Sequence, residues 1–165
     1  HYVGRTFIEP TQNIRSLGVK LKLSSTKTIV KNKSIILIDD SLVRGTTCHK
    51  IVKMLYENGA KEVHVRIACP EIRYPDFYGV DMPTKEELLA HEKNNKEMCE
   101  YIKAKSLKFL SLDGLYNALI KEKRNPSYPQ FSDHYFTGDY PIKPYDNLNS
   151  VKVKQLSLLS AKSNS

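Results

Sequence analysis

The sequence predicts an α/β fold built on a parallel sheet, and three observations predict it. Ser34-Ile-Ile-Leu-Ile-Asp39 is continuously apolar, as a strand covered by helices on both faces should be. A helical pattern follows over 46–58, with Ile51, Val52 and Leu55 at helix spacing and Gly59 placed to stop it. Glu62-Val-His-Val-Arg-Ile-Ala68 then alternates into a second strand. Strand, tight turn, helix, glycine and strand make a βαβ unit, whose crossover is expected to be right-handed.

The other elements follow in chain order. Residues 1–24 mix aromatic, glycine and basic residues without a sustained period. Thr11 is placed to cap one helical turn ending near Leu17 and Gly18, and the stretch reads as a mobile loop. The β-branched residues at 27–30, separated from Ser34 by Lys-Asn-Lys, predict a further strand. After Pro70 comes a loop rich in Pro, Tyr and Asp. Thr84-Lys-Glu-Glu87 is a capping box that opens a short helix through His91. A helix over 95–104, a strand over 107–110 and a helix capped by Ser111 and running to about residue 123 complete the body. From Asn125 onward prolines, tyrosines and aspartates give way to a Ser/Lys/Leu tail. No internal repeat is visible. The organisation predicted is a loop at 1–24, an α/β body at 25–124 and a C-terminal tail at 125–165.

Composition narrows the function. The chain has 165 residues, 26 basic and 18 acidic, for a formal charge of +8. The plain reading is a solvated lysine-rich surface; the sharper one is a partner with phosphates. Because the basic residues are scattered and form no run interleaved with aromatics, a small phosphorylated ligand suits the sharper reading better than nucleic acid. Cys48, Cys69 and Cys99 form no CxxC pair and no disulfide framework, so a reducing, cytoplasmic setting is expected. The apolar runs are too short for a membrane span. Residue 1 is His, and the opening residues suggest that the chain continues upstream.

The chemistry is concentrated in Ile35-Ile-Leu-Ile-Asp-Asp-Ser-Leu-Val-Arg-Gly-Thr-Thr47. Asp39 and Asp40 stand at the C-terminal end of a strand, where open α/β sheets bind ligands. Gly45, Thr46 and Thr47 open a helix whose first amides lack helical partners and attract anions. Ser41, Thr46 and Thr47 add hydroxyl donors. Two aspartates after an apolar strand occur also in receiver domains, Walker B strands and phosphatase-like hydrolases. The full string with Arg-Gly-Thr-Thr at this offset fits a ribose over Asp39 and Asp40, with its 5-phosphate at Arg44, Gly45, Thr46 and Thr47. The two carboxylates also suit a Mg²⁺ bridging to a pyrophosphate.

This string resembles the phosphoribosyl pyrophosphate motif of type I phosphoribosyltransferases. Tyr2-Val-Gly-Arg-Thr-Phe-Ile8, Pro70-Glu-Ile-Arg-Tyr-Pro, Phe77-Tyr-Gly-Val-Asp-Met82, Glu87-Leu-Leu-Ala90 and Phe136-Thr-Gly138 narrow the resemblance to the glutamine phosphoribosylpyrophosphate amidotransferase family. It runs from Tyr2 to about residue 140. It implies the C-terminal half of a type I phosphoribosyltransferase fold. The implied reaction converts phosphoribosyl pyrophosphate and glutamine to 5-phosphoribosylamine, pyrophosphate and glutamate, opening de novo purine synthesis. Ammonia would come from an N-terminal glutaminase domain. Residues 2–24 resemble the loop that closes over the substrate, so Arg5 and Lys20, with Arg15 and Lys22, would face pyrophosphate under the apolar cover of Tyr2 and Phe7. A complete enzyme is expected to be a homo-oligomer that uses Mg²⁺.

Three departures qualify the resemblance. The glutaminase domain is missing, and so is the earlier half of the transferase domain with its pyrophosphate loop. Where some relatives place iron–sulfur ligands, this chain has Pro129-Gln-Phe-Ser132 and Asp76, so no cluster is expected. A non-catalytic remnant or regulator that binds phosphoribosyl pyrophosphate or a nucleotide is the alternative.

The other reactive side chains carry less. His49, His64, His91 and His134 lack metal-ligand spacing. Cys48, near the positive end of its helix, is either a thiol of lowered pKa or a packing residue, and packing is the expectation. Glu71 and Asp81 suit a loop or subunit contact.

Overall fold

The computed structural model describes residues 27–79 and 84–142. The loop expected at 1–24, with Arg5 and Lys20, lies outside the described residues, as do Asp81 and the chain from 143 on.

The βαβ unit forms as the pattern requires. Strand β1 (Ser34–Asp39) leads through a tight turn into a helix (Thr46–Glu57), which returns the chain to strand β2 (Glu62–Ile67). Strand β3 (Ser106–Phe109) completes a parallel sheet ordered β1-β2-β3, with Ile36 opposite His64 and Val65 opposite Leu107. Gly59, at φ 90°, takes the left-handed conformation that ends the helix, and the Asn32 amide bonds to its carbonyl at 2.7 Å.

One expected strand is a helix. Residues Lys27–Val30 form a single turn, α1, and the long helix after β1 is therefore α2. Three β-branched residues in a row suit a strand by propensity alone. Here Lys33 N–H bonds back to the Val30 carbonyl at 3.0 Å and Asn32 sits at φ 59°, so the chain reverses into β1 with no room for a strand before it. The capping-box segment also divides. Lys85–Glu87 is a 3₁₀ turn with the predicted box, and Leu89–Glu92 is a separate α-helical turn, α3. Helix α4 (Asn95–Ile102) and helix α5 (Leu112–Ile120) stop earlier than their patterns suggested, at Lys103 and Lys121, which adopt left-handed φ near 59°.

Helices α2 and α4 cover one face of the sheet. Val52, Val63, Val65, Met98 and Ile102 are fully buried there, and Cys48, Leu55, Ile67 and Leu107 extend the cluster. The opposite face does not match the expectation for β1. Ile36 and Ile38 are 65% and 72% exposed, beside His64 and Arg66 of β2. A strand apolar on both sides has found cover on only one among the described residues, and its outer edge is unpaired there.

Residues 125–142, assigned by composition to a tail, pack against the 70–79 loop through helix α6 (His134–Thr137). Tyr135 carbonyl accepts from the Arg73 and Tyr74 amides at 2.9 and 3.1 Å. The buried side chains of Asp76 and His134 meet at 2.7 Å. Asp133, also buried, accepts from Tyr116 and Arg124 at 2.7 and 2.6 Å. Burial raises its pKa, but these donors outweigh burial and hold the carboxyl below its ordinary range.

Candidate functional site

The site lies where β1 ends. The strand delivers Asp39 half-buried and Asp40 exposed, and the chain turns through Ser41 and the buried Leu42 to enter α2. The Ala68 amide bonds to the Asp39 carbonyl at 2.9 Å, so the end of β2 supports the turn from one side. The Leu89 amide bonds to the Val43 carbonyl at 2.9 Å and supports it from the other.

Gly45 is the pivot. Its φ of 74° is left-handed, and a Cβ there would lie 2.6 Å from a Leu89 methyl carbon and 3.0 Å from the Tyr101 ring. Conformation and space both exclude a side chain. Gly45 is the N-cap of α2 and offers no side-chain cap, so among the described residues the first amides of this 12-residue helix, at Thr46, Thr47 and Cys48, have no helical partner. The helix has no acidic residue in its first turn to compensate its positive end. Thr46 and Thr47 are exposed.

The electrostatics have two signs within one turn. Burial, together with the adjacent Asp40 charge, pushes the Asp39 carboxyl up, and the Asp40 amide at 3.1 Å pulls the other way. Asp40 accepts from the Ser41 hydroxyl at 3.1 Å. Two neighbouring carboxylates with one raised by the other are a hard-oxygen pair that a divalent cation would relieve. Among the described residues no group of three or more His, Cys, Asp or Glu is placed to hold a metal, so a cation here would need oxygens from a ligand as well.

The structure thus brings together Asp39, Asp40, Ser41, Arg44, Gly45, Thr46 and Thr47 on one turn. Arg44 is turned toward Glu87, with its Nε 3.2 Å from Oε1. Glu87, Leu89 and Tyr101, which form the back wall, were not legible as site residues. The Glu87-Leu-Leu-Ala90 segment matched the family string, and that was the only signal. Cys48 is buried in the core, and burial followed by the Asp39 charge pushes its thiol up to about 12. The packing reading therefore holds, and a lowered thiol pKa does not. Cys69, beside Asp40, is pushed up to about 11 for the same reasons. Glu71 pairs with Arg73. A hollow of about 540 Å³ lies elsewhere, past the end of β3, lined by Pro70, Arg73, Lys108, Phe109 and Phe136. Its Arg73 is already engaged by Glu71, and it lacks a carboxylate pair facing an anion cradle.

No family model matches the chain. Curated relatives named amidophosphoribosyltransferase do. The Rhizobium etli protein is 54% identical over 162 residues, 98% of this chain and 33% of that protein. A Staphylococcus aureus protein is 52% identical over 145 residues, 88% of this chain and 29% of its own length. Over nearly its whole length, this chain is similar to part of an amidophosphoribosyltransferase. The chloroplastic amidophosphoribosyltransferase 1 of Arabidopsis thaliana is 50% identical over 94% of the chain and 26% of that protein. Among solved structures, glutamine phosphoribosylpyrophosphate amidotransferase from B. subtilis, complexed with ADP and GMP, superposes with a TM-score of 0.69 at 38% identity. That match covers 89% of this chain and 32% of the other. A second structure, described as the allosteric regulatory enzyme of purine biosynthesis, gives 0.65 at 40% identity, covering 89% and 31%. The fold is therefore the α/β parallel-sheet fold of the type I phosphoribosyltransferase domain. The chain spans about a third of the length of the curated relatives it matches.

Proposed function

We propose that the turn from Asp39 to Thr47 holds the ribose 5-phosphate part of phosphoribosyl pyrophosphate. On this reading the chain supplies the C-terminal transferase part of an enzyme that makes 5-phosphoribosylamine, pyrophosphate and glutamate from phosphoribosyl pyrophosphate and glutamine. The observation that carries it is the uncapped start of α2 at left-handed Gly45, directly after two adjacent carboxylates. An anion cradle and a pair of sugar-hydroxyl acceptors stand on one short turn, as that ligand requires.

The division of labour follows from the chemistry. Displacement at the anomeric carbon builds positive charge on the ribose, so positioning and electrostatics do most of the work. Asp39 and Asp40 accept from the sugar hydroxyls and would hold a Mg²⁺, which when bound offsets charge on the pyrophosphate. The amides and hydroxyls of 45–47 bind the 5-phosphate. Arg5 and Lys20 are proposed to close on the leaving group and keep out water, which competes with ammonia as nucleophile. Asp76 and Ser132 both bond to His134, at 2.7 and 3.0 Å, which supports an enzyme without an iron–sulfur cluster at those positions. The three free cysteines support a cytoplasmic setting. Among the described residues no helix is long and apolar enough to cross a membrane.

The test is a chimera that joins this chain to the upstream part of the Rhizobium etli relative. Asp40→Asn should lower ammonia-dependent use of phosphoribosyl pyrophosphate by about 30- to 700-fold, the equivalent of about 2–4 kcal/mol, and spare glutamine hydrolysis. Transfer within twofold of the unmodified chimera would refute the assignment. The chain alone should release little pyrophosphate.

A further inference from the structure

Arg44 is the only cation in the turn from Asp39 to Thr47, and a phosphate site invites its assignment as the phosphate's counter-ion. Its contacts say otherwise. Nε donates to Glu87 Oε1 at 3.2 Å and Nη2 donates to Oε2 at 3.4 Å, so one edge of the guanidinium is spent on one carboxylate. That carboxylate is fixed in turn, because Oε2 accepts from the Thr84 amide at 3.2 Å in the capping box of the 3₁₀ turn. The hydrogen bond from Arg44 first, and the Thr84 amide second, hold the Glu87 carboxyl below its usual range, which keeps the partner charged.

Two further contacts join the same segments. The Leu89 amide bonds to the Val43 carbonyl at 2.9 Å. The Leu89 side chain lies against the α-carbon of Gly45, where a Cβ would meet it at 2.6 Å. Residues 43, 44 and 45 are each tied, in succession, to the segment between Thr84 and Leu89. The left-handed pivot is thereby held from behind, with the first amides of α2 left open ahead of it.

We propose that Arg44 is a positioning residue rather than a phosphate ligand: paired with Glu87, it braces the turn so that backbone amides and the Thr46 and Thr47 hydroxyls alone receive the phosphate. The inference rests on the reading of this turn as a phosphate site. A cradle of helix-start amides binds phosphate without a side-chain cation. The brace is an exposed ion pair, with both side chains about half exposed, so its effect is modest and is exerted on geometry.

The experiment uses the 165-residue chain with ribose 5-phosphate and Mg²⁺, read by calorimetry, and amide exchange across 41–50, read by mass spectrometry. Arg44→Gln and Glu87→Gln should each weaken binding by a similar factor, about 2- to 5-fold, and speed exchange across the turn. The charge swap, Arg44→Glu with Glu87→Arg, should recover part of both losses relative to the single variants, since it rebuilds the pair. It should not recover all of them, because an arginine at 87 cannot accept from the Thr84 amide. A phosphate-ligating Arg44 gives the opposite pattern. Arg44→Gln then weakens binding, Glu87→Gln leaves it unchanged or tighter, and the swap abolishes it by placing a carboxylate against the phosphate. That pattern, or unchanged exchange in both single variants, overturns the proposal. If the unmodified chain binds no ribose 5-phosphate while the exchange pattern appears and the swap partly reverses it, the phosphate reading fails and the brace stands.

Discussion

Replacing Gly45 with alanine perturbs the turn at its pivot, and the cost can be worked from the geometry. A non-glycine residue at φ 74° loses about 1–2 kcal/mol to its own backbone. The new methyl would lie 2.6 Å from the Leu89 side chain and 3.0 Å from Tyr101. Tyr101 is partly exposed and can swing away, but Leu89 is buried in the core and cannot. Overpacking of that kind costs about 1–3 kcal/mol. The expected loss is about 3 kcal/mol, a large share of the stability of a domain this size. Urea unfolding of the 165-residue chain and the Gly45→Ala variant measures it directly, through a lower midpoint at constant slope. Gly45→Asn separates the two contributions, because asparagine tolerates left-handed φ yet still meets Leu89. It should fall between wild type and alanine. A loss under about 0.5 kcal/mol for Gly45→Ala would refute the reasoning, since it would mean that neither the conformation nor the contact is real.

Two further outcomes follow from the same coordinates. Asp39 is held above its ordinary pKa by burial and by Asp40, so the folded state carries a penalty that is full at neutral pH and fades as the carboxyl protonates in acid. Asp39→Asn should therefore stabilise the fold near pH 7, by a few tenths of a kcal/mol or roughly 1–3 °C after solvent screening, with the gain vanishing at low pH while ligand binding is lost. Thermal melts at pH 7.5 and 3.5 check the sign; a variant less stable at pH 7.5 contradicts it. The exposed Ile36 and Ile38, on a strand whose outer edge is unpaired among the described residues, should make the chain self-associate. Ile36→Lys with Ile38→Lys should shift light scattering toward monomer, and equal association in both forms counts against this face.

How much of this was readable before the structure depends on the range of the interactions. The β1-turn-α2 unit was legible because strand apolarity, the helix period and the glycine stop act within a few residues of one another. The same local reading failed at Lys27–Val30, where the deciding contacts are Lys33 to Val30 and Asn32 to Gly59, a turn closed by residues beyond the window. In the strand Ser34–Asp39 the expectation of two covered faces was sound as chemistry. Among the described residues only one face is covered, and Ile36 and Ile38 lie exposed on the other. The back of the site was not legible. Glu87 lies 43 residues from Arg44, and nothing in a single sequence pairs two exposed charges over that distance. Asp76 and His134, 58 residues apart, escaped for the same reason, although they are buried. Asp39 and Asp40, by contrast, are neighbours in sequence, so their mutual electrostatics needed no tertiary information.

The central claim is that one turn receives ribose and phosphate together. A crystal structure of the chain, soaked with ribose 5-phosphate and Mg²⁺, tests it most directly. The account predicts phosphate oxygens within hydrogen-bonding distance of the amides of Thr46 and Thr47, and ribose hydroxyls on Asp39 and Asp40. Density for the ligand in the hollow lined by Arg73, Lys108 and Phe109 instead, with the Asp39–Thr47 turn empty at saturating ligand, would contradict it.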